Sequence, residues 1–461
     1  MEKSNIPEII DNLIIIPDTN ILLYLYKCSF NSSQNIVELL NKVKDKIMVP
    51  YRVYEEYMAH KDGEQAKTDK KYDSFTKDLK SQVKDVNGKM SGSISESRKY
   101  GFPNCDQLET RIKSYLEKIS EAISDYETSL SSEKQQKSVQ IANVEQLIQL
   151  WKTDDKILEK PDILQIMEYV KEGEFRYRYK MPPGYMDEEE KDKQVKKDSS
   201  KDNFAGRIRK YGDLFVWKAI LKIASESTPE TTILFLTNDV KEDWWVLRGE
   251  ANNKEPVRMR DELLEEYSAA TGNNKIEFMT LSKFYELFSD YYEICDIKTR
   301  LELDYNSYIQ GLVNSKYKEQ IEDELWEKIS EVEWEDIDSD FLFIQTPEVD
   351  FDEMKIDKII LNYDDDGETA IYDVELSVST FPIHICKTEY EGGLWIADVE
   401  LDLKLSFQVQ RDLRNLDEDG ISFKAFSYDV ISNRGAWEVY LERESEAKAE
   451  ADDAIENYYN H

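Results

Sequence analysis

The sequence contains no apolar run approaching the roughly 20 residues that a membrane-spanning helix requires, so no such helix is expected. Histidine is scarce, with 3 in 461 residues, and the 4 cysteines, Cys28, Cys105, Cys295 and Cys386, lie far apart without a CxxC pair. That pattern supports neither a disulfide framework nor a thiolate zinc site. Any metal would have to be held by oxygen. The segment MEKSNIPEIIDN has no basic region followed by a long apolar stretch, and the expected address is the cytoplasm. Positive charge is the remaining shortage. Lys and Arg number 60 against 96 Asp and Glu, giving a net charge of -36. A surface of that sign repels phosphates, so nucleic-acid binding would need a local basic patch.

What is present argues for packed domains. Hydrophobic residues make up 40% and aromatics 11%, enough for cores even with 34% charged residues. The length favours two or three domains. Residues 13–60 read as strand, helix, strand, helix: NLIIIPD, SQNIVELLNKVKDK, IMVP and YRVYEEYMAHK. This βαβα start predicts a parallel sheet. From about Lys67 the pattern turns long, polar and helical, with Leu108, Ile112, Tyr115 and Ile119 at three- and four-residue steps. Such a seam predicts a helical hairpin or short coiled coil inserted into the α/β unit, and either self-association or a protein partner would cover it. The α/β signal resumes with YGDLFVWKAILKIASES and TTILFLTND, and the first domain closes near residue 295. Beyond Phe351, YDVELSVS and DVELDLKLSFQV alternate with period two, separated by DDDG, EGG, DEDG and NRG turns. These predict an antiparallel β domain.

Four acids occupy equivalent places in the first domain. Asp18 follows the first strand, Glu56 lies on a helix, Asp213 opens a helix and Asp239 follows a later strand. In a parallel sheet, strand C-terminal ends and the helix N-termini after them share one edge, where such acids converge. A carboxylate cluster without His or Cys suits Mg2+ or Mn2+. Singly, Asp18 and Asp213 read equally well as helix N-caps, and Glu56 as an ordinary helix acid. The local basic patch is FRYRYK with KDKQVKKDSSKDNFAGRIRK, spanning 175–180 and 191–210. There Arg207, Arg209 and Lys210 would grip phosphates just before Asp213, and Tyr177 and Tyr179 would stack on bases.

IPDTNILLYLYKCS, VPYRVYEEYMAHK, RKYGDLFVWKAI and LFLTNDVKEDWW resemble the blocks of PIN-domain nucleases, in particular a branch of large bacterial PIN-like proteins. MPPGYMD resembles the segment that branch carries before its third acid. Pattern and resemblance together predict an α/β fold, a PIN-like parallel sheet flanked by helices, with a long helical insertion and a C-terminal antiparallel β domain, divided as 1–66 and 181–295 (PIN-like), 67–180 (helical insertion), 296–345 (helical connector) and 346–461 (β-rich, with a polar helical tail). The resemblance itself covers about 13–65 and 180–290, with the insertion and the β domain outside it. It carries the family's acids onto Asp18, Glu56, Asp213 and Asp239, with Asp243 as a fifth metal ligand and Thr19, Asn20 and Thr237 in support. The implied activity is Mg2+- or Mn2+-dependent cleavage of RNA or single-stranded DNA, in bacterial defence or toxin settings. Asn238 departs from the branch, which often has a second Asp there, and implies weaker metal affinity. A catalytically quiet PIN-like module that binds a protein partner is the alternative.

Overall fold

The computed structural model describes residues 6–189, 191, 193, 208–249, 254–345, 351–388, 394–416 and 418–434. They form two units, one of Met1–Arg248 with Glu255–Leu303 and the other of Asp304–His461 with Gly249–Lys254.

The first unit is built on a parallel sheet of β1 (Leu13–Pro17), β2 (Thr232–Leu236) and β5 (Ile276–Met279), in the order β1-β2-β5. Ile15, Ile16 and all of Ile233 to Leu236 are buried. Covering on both faces explains why these strands read as continuous apolar runs rather than alternating ones. Pro17 pairs with Leu236, and Leu236 with Met279, so the three strands end together. The chain continues from that edge into α1 (Thr19–Lys27) after β1, and into α8 (Leu281–Tyr291) after β5. The strand expected at IMVP is reduced to two isolated bridges, Ile47 with Ile15 and Val49 with Ile157. Pro50, which has no N–H to donate, ends it and caps the next helix.

That helix, α3 (Tyr51–Arg98), and α4 (Cys105–Thr153) form the long hairpin. At 48 and 49 residues, each is roughly 70 Å long at the usual rise per residue. Lys80 and Glu127 pair at 2.7 Å, and the rings of Phe75 and Tyr126 meet edge to face at 5.8 Å. The boundary expected after residue 66 therefore falls inside one unbroken helix. The base of α4 is core: Ile141, Val144, Leu147, Ile148 and Trp151 pack with Val53 and Tyr57. Farther out, Leu108, Tyr115 and Ile119 are exposed and Ile112 is half-buried, while Ile94 and Ile123 are covered. The hairpin closes on itself without covering the expected seam. Helix α5 (Ile163–Arg178) and α6 (Gly212–Glu226) return to the core, so the segment assigned to the insertion up to residue 180 ends within it.

In the second unit an antiparallel sheet runs in the order β6 (Phe341–Ile344), β9 (Ile383–Thr388), β10 (Leu394–Asp412), β8 (Thr369–Ser379) and β7 (Lys355–Tyr363), with β11 (Asp419–Arg434) also on β10. Strands β8 (Thr369–Ser379) and β10 (Leu394–Asp412) bury the period-two faces expected, Val374, Leu376 and Val378 with Val399, Leu401, Leu403 and Leu405. Strand β6 (Phe341–Ile344) lies inside the segment expected to be a helical connector. The expected polar helical tail lies outside the described residues.

Candidate active site

Asp18 leaves β1 and caps α1, its Oδ1 accepting from the Thr19 amide at 2.7 Å. One oxygen of Asp18 thus serves as the helix cap, while the other faces the neighbouring strand end. Oδ2 accepts from Asn20 Nδ2 at 2.6 Å and from the Thr237 hydroxyl at 2.8 Å. Thr19 donates its hydroxyl to Glu56 at 3.2 Å, tying the start of α1 to the first turns of α3. Thr237, buried just past β2, also accepts from Asn20 and from the Asp239 amide. The three supporting residues are thus one hydrogen-bonded lattice linking Asp18, Glu56 and the backbone of Asp239.

The other acids join electrostatically. Burial pushes the Asp18 carboxyl up to about 7, with Asp213 and Glu56 adding to the rise while Thr237 and Thr19 oppose it. Burial also raises Asp239; Lys241 counteracts, and Asp213 and Asp187 reinforce. Asp243 is 1% exposed and is pushed up to about 6 by burial, then by Asp213 and Asp239. One of its oxygens accepts from the Met186 amide at 3.1 Å, and the other is buried without a partner. Like charges gathered in a half-buried place raise one another's pKa values.

Asp187, Lys191 and Lys241 were not anticipated. Lys241 donates to both oxygens of Asp187, at 2.7 and 2.8 Å, and to Asp239 at 3.1 Å. Lys191 donates to Asp213 at 2.9 Å. Asp187 ends the MPPGYMD segment, whose Pro, Gly and terminal acid were the available signal. Arg176 holds that segment by donating to the Pro182 carbonyl, and is itself held by Glu266 at 2.6 Å. Gly184 adopts φ +88°, and a Cβ there would lie 2.7 Å from Asp213 Oδ2 and from the Tyr177 hydroxyl.

Several expectations change. Asn238 is tied into the fold: its amide donates to Asn20, and its side-chain oxygen accepts from the Leu281 amide at the start of α8. Tyr177 is 3% exposed and donates to the Lys210 carbonyl, so it walls the site and has no open face for a base. Tyr179 is 64% exposed beside Phe175. Lys210 is engaged with Glu188 at 3.0 Å, Arg209 is exposed, and Arg207 lies outside the described residues.

Among the described residues, no group of three or more His, Cys, Asp or Glu side chains is arranged to hold a metal ion as it stands. The donors nevertheless fit a hard divalent cation in chemistry. They are all carboxylate oxygens, the carboxyls of Asp18, Asp239 and Asp243 are raised by burial, and one buried oxygen of Asp243 has no partner.

A profile of the PIN-like domain matches residues 14–263, more than half of the chain. The chain belongs to the PIN-like domain family. Membership places it in a nuclease superfamily, whose domains typically use divalent metals. Comparison with curated proteins found no match, and neither did comparison with solved structures. Within the described residues, no helix of this PIN-like protein is long and apolar enough to cross a membrane.

Proposed function

We propose that this PIN-like protein is a metal-dependent endonuclease that hydrolyses phosphodiester bonds of RNA or single-stranded DNA, in a bacterial defence or toxin role. The observation that supports the reading is one hydrogen-bonded lattice that links Asp18, Glu56 and the Asp239 backbone from three chain segments, with Asp213 acting on Asp18 and Asp239 through its charge. Asp18, Glu56, Asp213 and Asp239 would hold Mg2+ or Mn2+, with Asp243 behind them. A bound ion would supply an activated water and neutralise charge on the phosphate. The chain's own work is positioning. Thr237 and Asn20 fix the Asp18 carboxylate, Thr19 fixes Glu56, and Lys191 and Lys241 lower the net charge that a polyanion meets.

The same lysine pairs favour a second reading, in which ammonium groups permanently satisfy the acids and the fold serves as a quiet protein-binding module. Cleavage assays on labelled RNA and DNA, single- and double-stranded, separate the two. The nuclease reading expects product with Mn2+ or Mg2+, none in EDTA, and recovery on metal addition. No product on any substrate with either ion favours the quiet module. The exposed hairpin seam is the proposed surface for self-association or a partner; sedimentation of Tyr115→Glu against the parent chain tests the self-association arm.

A further inference from the structure

A cavity of about 230 Å³ opens between α3, α5 and α6. Its lining includes the aromatic side chains of Tyr51, Tyr169 and Phe215 and the cationic ones of Arg52, Lys160 and Lys222. We propose that this cavity is a binding site for one nucleoside monophosphate unit, taken either as a free nucleotide or as one residue of a nucleic-acid strand.

Three observations carry the assignment. The first is size: the cavity falls just below the roughly 300 Å³ at which sites for drug-sized ligands begin, which suits a single planar base. The second is the distribution of charge. Of the three lining acids, Glu55 is paired with Arg52 at 2.7 Å, Asp162 accepts from the Leu164 and Gln165 amides as the cap of α5, and Glu159 is the third, beside the four lining cations Arg52, Lys160, Lys218 and Lys222. Lys218 is neutralised by Glu172 and Glu266. Lys160 and Lys222 have no ion-pair partner among the described residues, and the Lys160 ammonium lies 5.9 Å from the Tyr51 ring centre. Two ammonium groups without ion pairs, one of them over a tyrosine ring, offer the recognition chemistry of a phosphate joined to a base. The third is Arg52, which lines the cavity and is held by Glu55 through Nη1. A guanidinium carries five N–H donors, and a phosphate or base oxygen is a suitable acceptor for those that Glu55 leaves over.

Arg52 also places the cavity beside the acids. It precedes Glu56 by one helical turn, and a Cβ on Gly212, next to Asp213, would lie 3.2 Å from its Nε. A strand crossing the acids therefore has a neighbouring seat for one of its nucleotides. Only that strand arm of the inference rests on the nuclease reading.

Calorimetric titration of the full chain in EDTA tests the site without any cleavage. The probes are AMP, UMP, adenosine, inorganic phosphate and a single-stranded hexanucleotide. Saturable binding of at least one monophosphate is expected, tighter than adenosine and phosphate alone. Lys160→Glu with Lys222→Glu should weaken it roughly tenfold, the scale of losing two favourable contacts to a phosphate. Ala219→Phe, which fills the cavity from α6, should abolish it, with unchanged circular dichroism showing that both variants fold. If the variants weaken the hexanucleotide as well, the site seats a strand residue; if they weaken only the mononucleotide, it takes free nucleotide. Absence of monophosphate binding at millimolar concentration, or binding that neither variant changes, overturns the inference. Loss of this binding with metal-dependent cleavage intact leaves the nuclease reading standing, whereas intact binding without cleavage removes that reading alone.

Discussion

The Thr237 hydroxyl donates to Asp18 Oδ2 across 2.8 Å, joining the ends of two paired strands that are 219 residues apart in sequence. The same oxygen of Thr237 accepts from Asn20 and from the Asp239 amide, so one buried group sets three parts of the site. Thr237→Val keeps the shape and removes every one of these bonds. It should cost about 1 to 3 kcal/mol of stability, the usual cost of leaving buried partners unsatisfied. Denaturant unfolding measures this, and cleavage should fall by more than the loss of folded protein explains.

Asp18→Asn should separate activity from stability. Removing a charged ligand without changing shape is expected to lower cleavage by more than about 100-fold. Without metal, however, the buried carboxylate is a burden. Its pKa in the folded chain is about 7, above the unfolded value of roughly 3.9, so the fold binds its proton more tightly than the unfolded chain does. Its contribution is complete below the unfolded pKa and is lost as pH rises toward 7. In EDTA at pH 8 the variant should therefore melt higher than the parent, with the difference vanishing near pH 4. A variant that melts lower at pH 8 would contradict this account of the site's electrostatics.

Gly184 has no room for a side chain. Alanine there would adopt φ +88° and press its Cβ on Asp213 and Tyr177. Strain of that kind costs on the order of 1 to 3 kcal/mol. Gly184→Ala should lower the melting temperature and reduce cleavage together. Full activity at unchanged stability would mean that the 181–187 segment does not hold Asp213.

The Arg176–Glu266 pair should give a stability change of the opposite pH sense. Burial pulls the Glu266 carboxyl upward, but hydrogen bonds and charge from Arg176, with Lys218 and the Trp217 N–H, outweigh it and hold the carboxyl low. With the folded value depressed, the stabilisation is present above the unfolded pKa and is lost as pH falls through the folded one. Glu266→Gln should destabilise by about 3 kcal/mol at pH 7, the lower end of breaking a buried pair, and by much less at pH 3. Urea unfolding at the two pH values checks it.

How far the site was legible depends on which contacts hold each residue. Asp18 and Asp239 end apolar runs, and a run covered on both faces has one edge from which an acid emerges, so their positions could be read locally. Glu56 sits in a helix with no distinguishing period and was placed by the resemblance of its block. Asp187 carried only the signal of its MPPGYMD segment and no sign of its role, because its loop is fixed through Arg176 by Glu266, 90 residues away, and through Met186 by Asp243. The boundary after residue 66 failed for a related reason. Helix α3 carries both Glu56 and the outer hairpin, and no break in the chain separates the two roles. The β domain was the easiest part to read, since one-sided burial leaves period two on the surface of the sequence.

The proposed nuclease function requires a path for nucleic acid toward the acids, and the structure redistributes the parts assigned to it. Tyr177 is committed to the wall and Lys210 to Glu188, which leaves Tyr179 and Arg209 as the exposed members of the expected patch. Tyr179→Ala should weaken single-strand binding by about 1 to 3 kcal/mol, the worth of one stacked base, and leave duplex binding nearly unchanged. Arg209→Glu should act on both and reduce the slope of log affinity against log salt by roughly 0.7 to 0.9, because one phosphate contact fewer releases fewer counterions. Asp18→Asn serves as the background for both, so that binding is read without cleavage. An unchanged salt slope in Arg209→Glu, together with unchanged single-strand affinity in Tyr179→Ala, would remove this segment from the substrate path.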